Sequence, residues 1–277
     1  MSRTALVATN PKVQQLRRLV RRRSSRSDAG AFVVEGPVAI GEALRSGAEV
    51  DDIFLPVDGP AALLDPLRDE AERLGIRVTA VAAGVLGGVA DTVTPQPGMA
   101  VVRMAESTVD ELGADAGLLV VLAGVSDPGN AGTLVRTAEA AGAVGIVALT
   151  GSVDLYSPKV VRAAAGSLLR VAVLTGATPA DLDALRAGGV ALVGTSADGD
   201  VVDDVDLEGP LALVLGSEAH GIGDDVRGRI DRWASIPMAG RVESLNVAVA
   251  GSVLAFEVSR RARRAAAIAS GAPSAMP

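Results

Sequence analysis

Five polar residues set the chemistry this chain could perform. Asn130 and Arg136 stand in DPGNAGTLVRTAEAAG (127–142), and Glu218, Ser244 and Asn246 fall within one later stretch, 211–257. That stretch opens on an apolar run, LALVL, with the length and composition of a buried strand. It stops at Gly216-Ser217-Glu218, a turn carrying one carboxylate. A short polar helix over 224–230 follows, then a second strand over 234–236 ended by Pro237. A polar loop over 239–243 leads to Ser244-Leu245-Asn246 and a long helix. Two strand ends and one helix start thus gather backbone amides, carbonyls, Glu218, Ser244 and Asn246. That setting suits a small polar ligand outside the carboxyl ends of strands.

The elements that must position these residues form an α/β succession. A buried strand over 117–124 (GLLVVLAG) feeds a turn and a helix to Ala141, stopped at Gly142. Leu134, Ala138 and Ala141 mark the packing face of that helix, and Arg136 projects away from it. Taken alone, Asn130 reads as a helix cap and Arg136 as a surface arginine. Further strands are expected over 145–149, 171–174 and 191–195, with helices from Ser157-Pro158 and over 178–187. Tyr156, Lys159 and Arg162 are open between RNA contact and ordinary surface roles. The acidic run 198–208 reads as a solvated loop. The helix from Asn246 is apolar almost all round to Val258, which means burial on several sides.

Upstream, Asn10-Pro11 predicts a capped helix with Val13, Leu16, Leu19 and Val20 inward and arginines outward. A serine-arginine loop over 23–30 follows, then alternating strands and helices to residue 104. Glu35, at a strand end, is taken as structural. The polar, acidic stretch 107–116 is read as a linker. It divides an N-terminal domain, 1–106, from a larger domain, 117–268, with a disordered tail over 269–277.

Composition narrows the function classes. The chain has 277 residues, 49% hydrophobic and 21% charged, enough for a sizeable core. There is no cysteine and a single histidine, His220, so thiolate chemistry and an all-protein histidine metal site are excluded. No apolar run is long enough to read as membrane-spanning, and a reducing cytoplasm fits. Aromatics are only 2%, which excludes base stacking as a main binding mode. Net charge is −7, yet residues 1–30 hold eight basic side chains against Asp28 alone. Such asymmetry suits a basic arm on phosphate, with Arg17, Arg18, Arg21, Arg22 and Arg23 as the contacts.

DPGNAGTLVRTAEAAG, GSEAHGI (216–222), IPMAG (236–240) and SLNVAVA (244–250) resemble the three motifs of the TrmH-like (SpoU) branch of the SPOUT RNA methyltransferases. FVVEGPVAIGEAL (32–44) is similar to the ribosomal-protein-like substrate-binding domain found ahead of many such enzymes. The resemblance implies a mostly parallel α/β sheet with a trefoil knot and a smaller N-terminal α/β domain. It further implies a homodimer with sites at the dimer interface, S-adenosylmethionine as cofactor, no metal, and methylation of a ribose 2′-oxygen. Ribosomal RNA is favoured as substrate, with transfer RNA, base methylation, or a non-catalytic RNA-binding protein on the same fold as alternatives. Residue by residue, Asn130, Arg136, Glu218, Ser244 and Asn246 match positions around the reacting centre. Thr195, Leu215, Gly216, Ile236, Met238 and Leu245 match the cofactor pocket. Two roles are open for Arg136: a general base, which sits uneasily with a guanidinium, or a clamp on phosphate and developing negative charge. His220 falls at a variable place in the motif.

The basic arm yields a test. Replacing Arg17, Arg18, Arg21 and Arg22 by alanine is expected to weaken RNA binding and flatten its dependence on salt, because fewer counterions are released. A filter-binding titration at several salt concentrations reads this. An unchanged slope would leave only a solvated helix.

Overall fold

The computed structural model describes residues 5–114, 117–242 and 244–270. Its contacts gather into two units, one of the chain up to Ala105 with Tyr156–Arg170, the other of Glu106–Leu155 with the chain from Val171 on. Elements are numbered along the chain.

The first unit begins with α1 (Pro11–Arg21), whose start is fixed by Asn10: its side chain accepts from the Lys12 backbone amide. Val13, Leu16, Leu19 and Val20 are its buried face. Then come α2 (Arg23–Ala29), β1 (Ala31–Glu35), α3 (Pro37–Arg45), β2 (Val50–Pro56), α4 (Ala61–Arg73), β3 (Val78–Val81), α5 (Val85–Val89) and β4 (Met99–Arg103). The sheet runs β1-β4-β2-β3, antiparallel except for the parallel pair of β2 with β3. The expected loop over 23–30 is instead α2. Its Arg26 is buried and donates to the Leu19 and Val20 carbonyls, so a side chain counted as polar surface serves the free end of α1. No sequence signal had marked α5.

In the second unit the elements are α6 (Val109–Ala114), β5 (Leu118–Ala123), α7 (Pro128–Ala141), β6 (Gly145–Leu149), β7 (Ala172–Ala177), α9 (Pro179–Ala187), β8 (Ala191–Val201), β9 (Leu211–Gly216), α10 (Asp224–Arg227), β10 (Arg232–Ser235) and α11 (Val247–Ser270). The intervening α8 (Pro158–Ala163) lies in the first unit. All six strands are parallel, in the order β10-β8-β9-β5-β6-β7. β5, β6 and β9 are buried at every position, as continuous apolar runs in a parallel sheet should be. The stretch expected as a linker holds α6, whose Leu112 belongs to the core of this unit.

Three boundaries differ from expectation. β8 runs on to Val201, so the start of the acidic stretch is strand: Asp200 and Val201 pair with Ala234 and Ser235 of β10. α10 ends at Arg227, and β10 starts two residues early, which brings Trp233 into the sheet. α11 continues through Ala269 and Ser270, which were expected in the tail, and 271–277 lie outside the described residues.

Near its end α11 is tied down by charge. Arg261 donates to the Val202 and Val205 carbonyls and, with Arg260, to Glu257. Hydrogen bonding from Arg260 first and Arg261 next holds the Glu257 carboxyl down at about 2, against burial, which pushes it up. A carboxylate depressed from 4.5 adds stability that is fully present above pH 4.5 and lost as pH falls through about 2. Urea unfolding at a series of pH values should therefore show stability falling across that window, and Glu257→Gln should flatten the fall. Equal slopes for both proteins would refute the assignment.

Candidate functional site

Because β8, β9 and β10 are adjacent and parallel, their carboxyl ends meet on one edge. A cavity of about 780 Å³ opens there, within the size range of small-ligand sites. Thr195 and Ser196 line it from β8, Gly216 from β9, and Trp233, Ala234 and Ser235 from β10. Ile236, Pro237, Met238, Ser244, Leu245 and Asn246 complete the wall from the segment between β10 and α11. The described part of that segment has no regular secondary structure, so its backbone groups are not committed to a ladder.

Close backbone packing shapes the floor. A Cβ on Gly216 would come within 2.3 Å of the Gly221 carbonyl carbon and 2.5 Å of the Ile222 nitrogen. The chain can fold back on itself there only because residue 216 has no side chain. Ser217 and Gly221 exchange two backbone hydrogen bonds of 2.9 Å, and the His220 amide donates to the Ser217 hydroxyl. This turn carries Glu218.

A chain of amides joins the turn to two helix starts. Asn130 donates through Nδ2 to Glu218 Oε1 at 2.7 Å, and its Oδ1 accepts from Asn246 Nδ2 at 3.0 Å. Asn246 Oδ1 in turn accepts from the Ala248 and Val249 amides, capping α11. The cap of α7 is Asp127, which accepts from the Asn130 backbone amide, so the alternative of Asn130 as a mere helix cap falls away. Its side chain is thereby left for the network.

The other expected residues fall as follows. Thr195, Gly216, Glu218, Ile236, Met238, Ser244, Leu245 and Asn246 all face the cavity. Leu215 does not line it. Leu215 is fully buried, and with Leu134 it packs where α11 passes at Gly251, since a Cβ there would approach both leucines to 2.6 Å. Arg136 is exposed, lines no part of the cavity and has no hydrogen bond or ion pair among the described residues. Six positions along a helix turn it about 120° away from Asn130. Sequence reasoning missed Trp233 and Arg227, which also line the cavity and stack together. A lone tryptophan one residue ahead of an apolar run was the available signal.

The expected RNA contacts lie in the first unit. Arg18, Arg22 and Arg23 are exposed, Arg21 reaches the Gly88 carbonyl at 3.5 Å, and Arg17 is half-buried with its Nε unpartnered. Glu35 accepts from the Gln96 amide and faces Arg162 at 3.7 Å, a structural setting. Arg162 also donates to the Asp91 carbonyl, Tyr156 is buried against Phe32, and Lys159 is exposed.

A parallel α/β sheet with a ligand-sized cavity at three strand ends is shared by many open α/β folds, and the solved structures that resemble this one include SPOUT-class methyltransferases. Residues 117–256 match the SpoU rRNA Methylase family, and 10–100 match the MRM3-like substrate binding domain. The chain belongs to the SpoU rRNA methylase family. Over 253 residues it is 31% identical to the 23S rRNA (guanosine(2553)-2′-O)-methyltransferase of Bacillus subtilis, covering 91% of this chain and 97% of that one. It is 32% identical to a 23S rRNA (uridine(2479)-2′-O)-methyltransferase of Streptomyces viridochromogenes, covering 92% of each. Among solved structures, the SpoU methyltransferase AviRb of Streptomyces viridochromogenes in complex with AdoMet matches at TM-score 0.81 and 30% identity, covering 92% of this chain and 98% of that one.

The floor of the site can be tested directly. Gly216→Ala should destabilise the protein by about 1–3 kcal/mol, because backbone rather than a flexible side chain must yield. Chemical denaturation measures it. An unchanged midpoint would show that the turn after β9 can relax freely.

Proposed function

We propose that this protein transfers the methyl group of S-adenosylmethionine to a ribose 2′-hydroxyl of ribosomal RNA, with large-subunit RNA favoured. The observation that carries the reading is the Glu218–Asn130–Asn246 amide chain at the edge of the strand-end cavity. The named activities of the two relatives, which match nearly end to end, support the substrate class.

The residues present fit the cofactor. Ile236, Met238 and Leu245 offer apolar wall, Gly216 contributes backbone at the floor, and Thr195 and Ser244 offer hydroxyls. The cofactor supplies a methyl group already activated on a sulfonium. The protein's part is then to align donor and acceptor and to manage charge at the 2′-oxygen. Glu218 is an acceptor fixed by Asn130, and Asn246 fixes Asn130, so the three are held before substrate arrives. Arg136 supplies a cation for negative charge on the ribose oxygen or the neighbouring phosphate.

Since Arg136 faces away from its own cavity, the reading assigns it to the site of a second copy. A homodimer gives that arrangement. Val249, Val253 and Phe256 are half-exposed along α11, an apolar stripe that a partner would cover. No helix among the described residues is long and apolar enough to cross a membrane. The cytoplasm follows from the substrate class.

The test joins activity and assembly. Sedimentation at micromolar concentration should give a dimer. Arg136→Ala should lower single-turnover methylation by about 10²–10³-fold with cofactor binding intact. Mixed with Asn130→Ala, it should regain about a quarter of normal turnover through random pairing. A fully active monomer would sink the dimer, and no regain on mixing would return Arg136 to its own site. Cofactor affinity lost along with turnover would make Arg136 structural. Absence of cofactor binding in the unaltered protein would favour the non-catalytic RNA-binding reading.

A further inference from the structure

Among the described residues, the cavity wall carries two side chains of opposite formal charge, Glu218 and Arg227, with His220 the only other titratable one. Glu218 is engaged by Asn130. Arg227, on α10, has no ion pair and no side-chain hydrogen bond among the described residues. It is nevertheless held in place: its guanidinium carbon lies 4.6 Å from the centroid of the Trp233 ring. Trp233 is itself seated on β8, where a Cβ at Gly194 would approach its Cζ3 to 2.8 Å. The glycine lets the indole lie against the strand, and the indole gives the guanidinium a surface. A contact with the ring uses none of the guanidinium N–H donors in a conventional hydrogen bond. The cavity therefore presents a fork of donors that is pre-oriented and unpaired among the described residues.

We propose that Arg227 binds the α-carboxylate of the cofactor's amino-acid tail. This rests on reading the cavity as the S-adenosylmethionine site. That cofactor has one anionic group, the carboxylate, and two cationic ones, the ammonium and the sulfonium. Arg227, the one cation of the wall among the described residues, attracts only the first, and a planar fork matches a carboxylate in shape as well as charge. Stacking on Trp233 settles the rotamer before binding, so less entropy is lost when the contact forms. The carboxylate is unchanged by methyl transfer. Arg227 therefore holds cofactor and product alike and acts on KM rather than kcat.

Two nucleosides separate the tail from the rest. Calorimetry on the full chain compares S-adenosylhomocysteine, which has the tail, with 5′-methylthioadenosine, which lacks it. Arg227→Gln should weaken the first by about ten-fold and leave the second unchanged. Arg227→Lys should recover part of the loss, as a point charge without the fork. In turnover, Arg227→Gln should raise the cofactor KM with kcat unchanged. Equal loss for both nucleosides would make Arg227 a support for Trp233 and overturn the proposal. So would no loss for either. Weakened RNA binding with both nucleosides unaffected would transfer Arg227 to an RNA phosphate, which also overturns it. If the unaltered protein binds neither nucleoside, the cofactor reading of the cavity fails instead. Far-ultraviolet circular dichroism and the unfolding midpoint, unchanged in the variants, show that the fold survives.

Discussion

One side-chain amide ties the site together. Asn130 donates to Glu218 and accepts from Asn246, so a single residue links the turn after β9, the start of α7 and the start of α11. Both of its functions are used, and its neighbours are equally committed. Asn246 gives its Nδ2 to Asn130 and its oxygen to the first amides of α11. Asp127 relieves Asn130 of capping. An aspartate at 130 could not donate to Glu218 and would set two carboxylates against each other. A leucine would leave both partners without the bond they now make. The amide satisfies both sides at once, so the residue type follows from the hydrogen bonding without appeal to the reaction.

Below that network, backbone contact sets the shape. Strand-end cavities form where adjacent strands hand over to loops, and here three do so side by side. The floor closes because the turn after Gly216 folds back onto it, and the side wall closes because Trp233 lies on β8 at Gly194. Neither contact leaves room for a methyl group. The polar residues are then held by elements that cannot move apart without breaking packed backbone.

Most of this was readable from local pattern. The runs that became β5, β6 and β9 are apolar at every position, and burial on both faces of a parallel sheet is what such runs specify. Pro11 and Pro158 stand at the first helical turns they were expected to open. The failures have physical causes. Residues 198–201 looked like a solvated loop because their carboxylates hid a strand whose pairing partner, β10, lies more than thirty residues on. Residues 23–29 looked like a loop because serine and arginine carry no apolar period, while the stabilising bonds from Arg26 are tertiary. Leu215 and Gly216 are neighbours on one strand, yet only Gly216 lines the cavity while the Leu215 side chain is buried in the core, a division that the motif does not encode. Trp233 and Arg227 belong to no motif, and only the fold brings them together.

Helix α11 shows why assembly and chemistry would be hard to separate here. Its inward face, Ala248, Gly251, Leu254, Ala255 and Val258, packs within the unit, and Thr137 and Ser252 bond at 2.7 Å where it meets α7. Its outward face carries Val249, Val253 and Phe256 at helical spacing. The first of these stands one turn from the capping Asn246, about 4.5 Å along the axis. A second copy seated on the stripe would therefore lie beside the amide network. Further along, Arg261, held by Glu257, ties the helix to the segment between β8 and β9. A helix capped at its start, tied at Arg261 and packed along one side keeps the outer face between those points rigid. A rigid apolar stripe loses little entropy when covered, and that favours a partner even over a modest area.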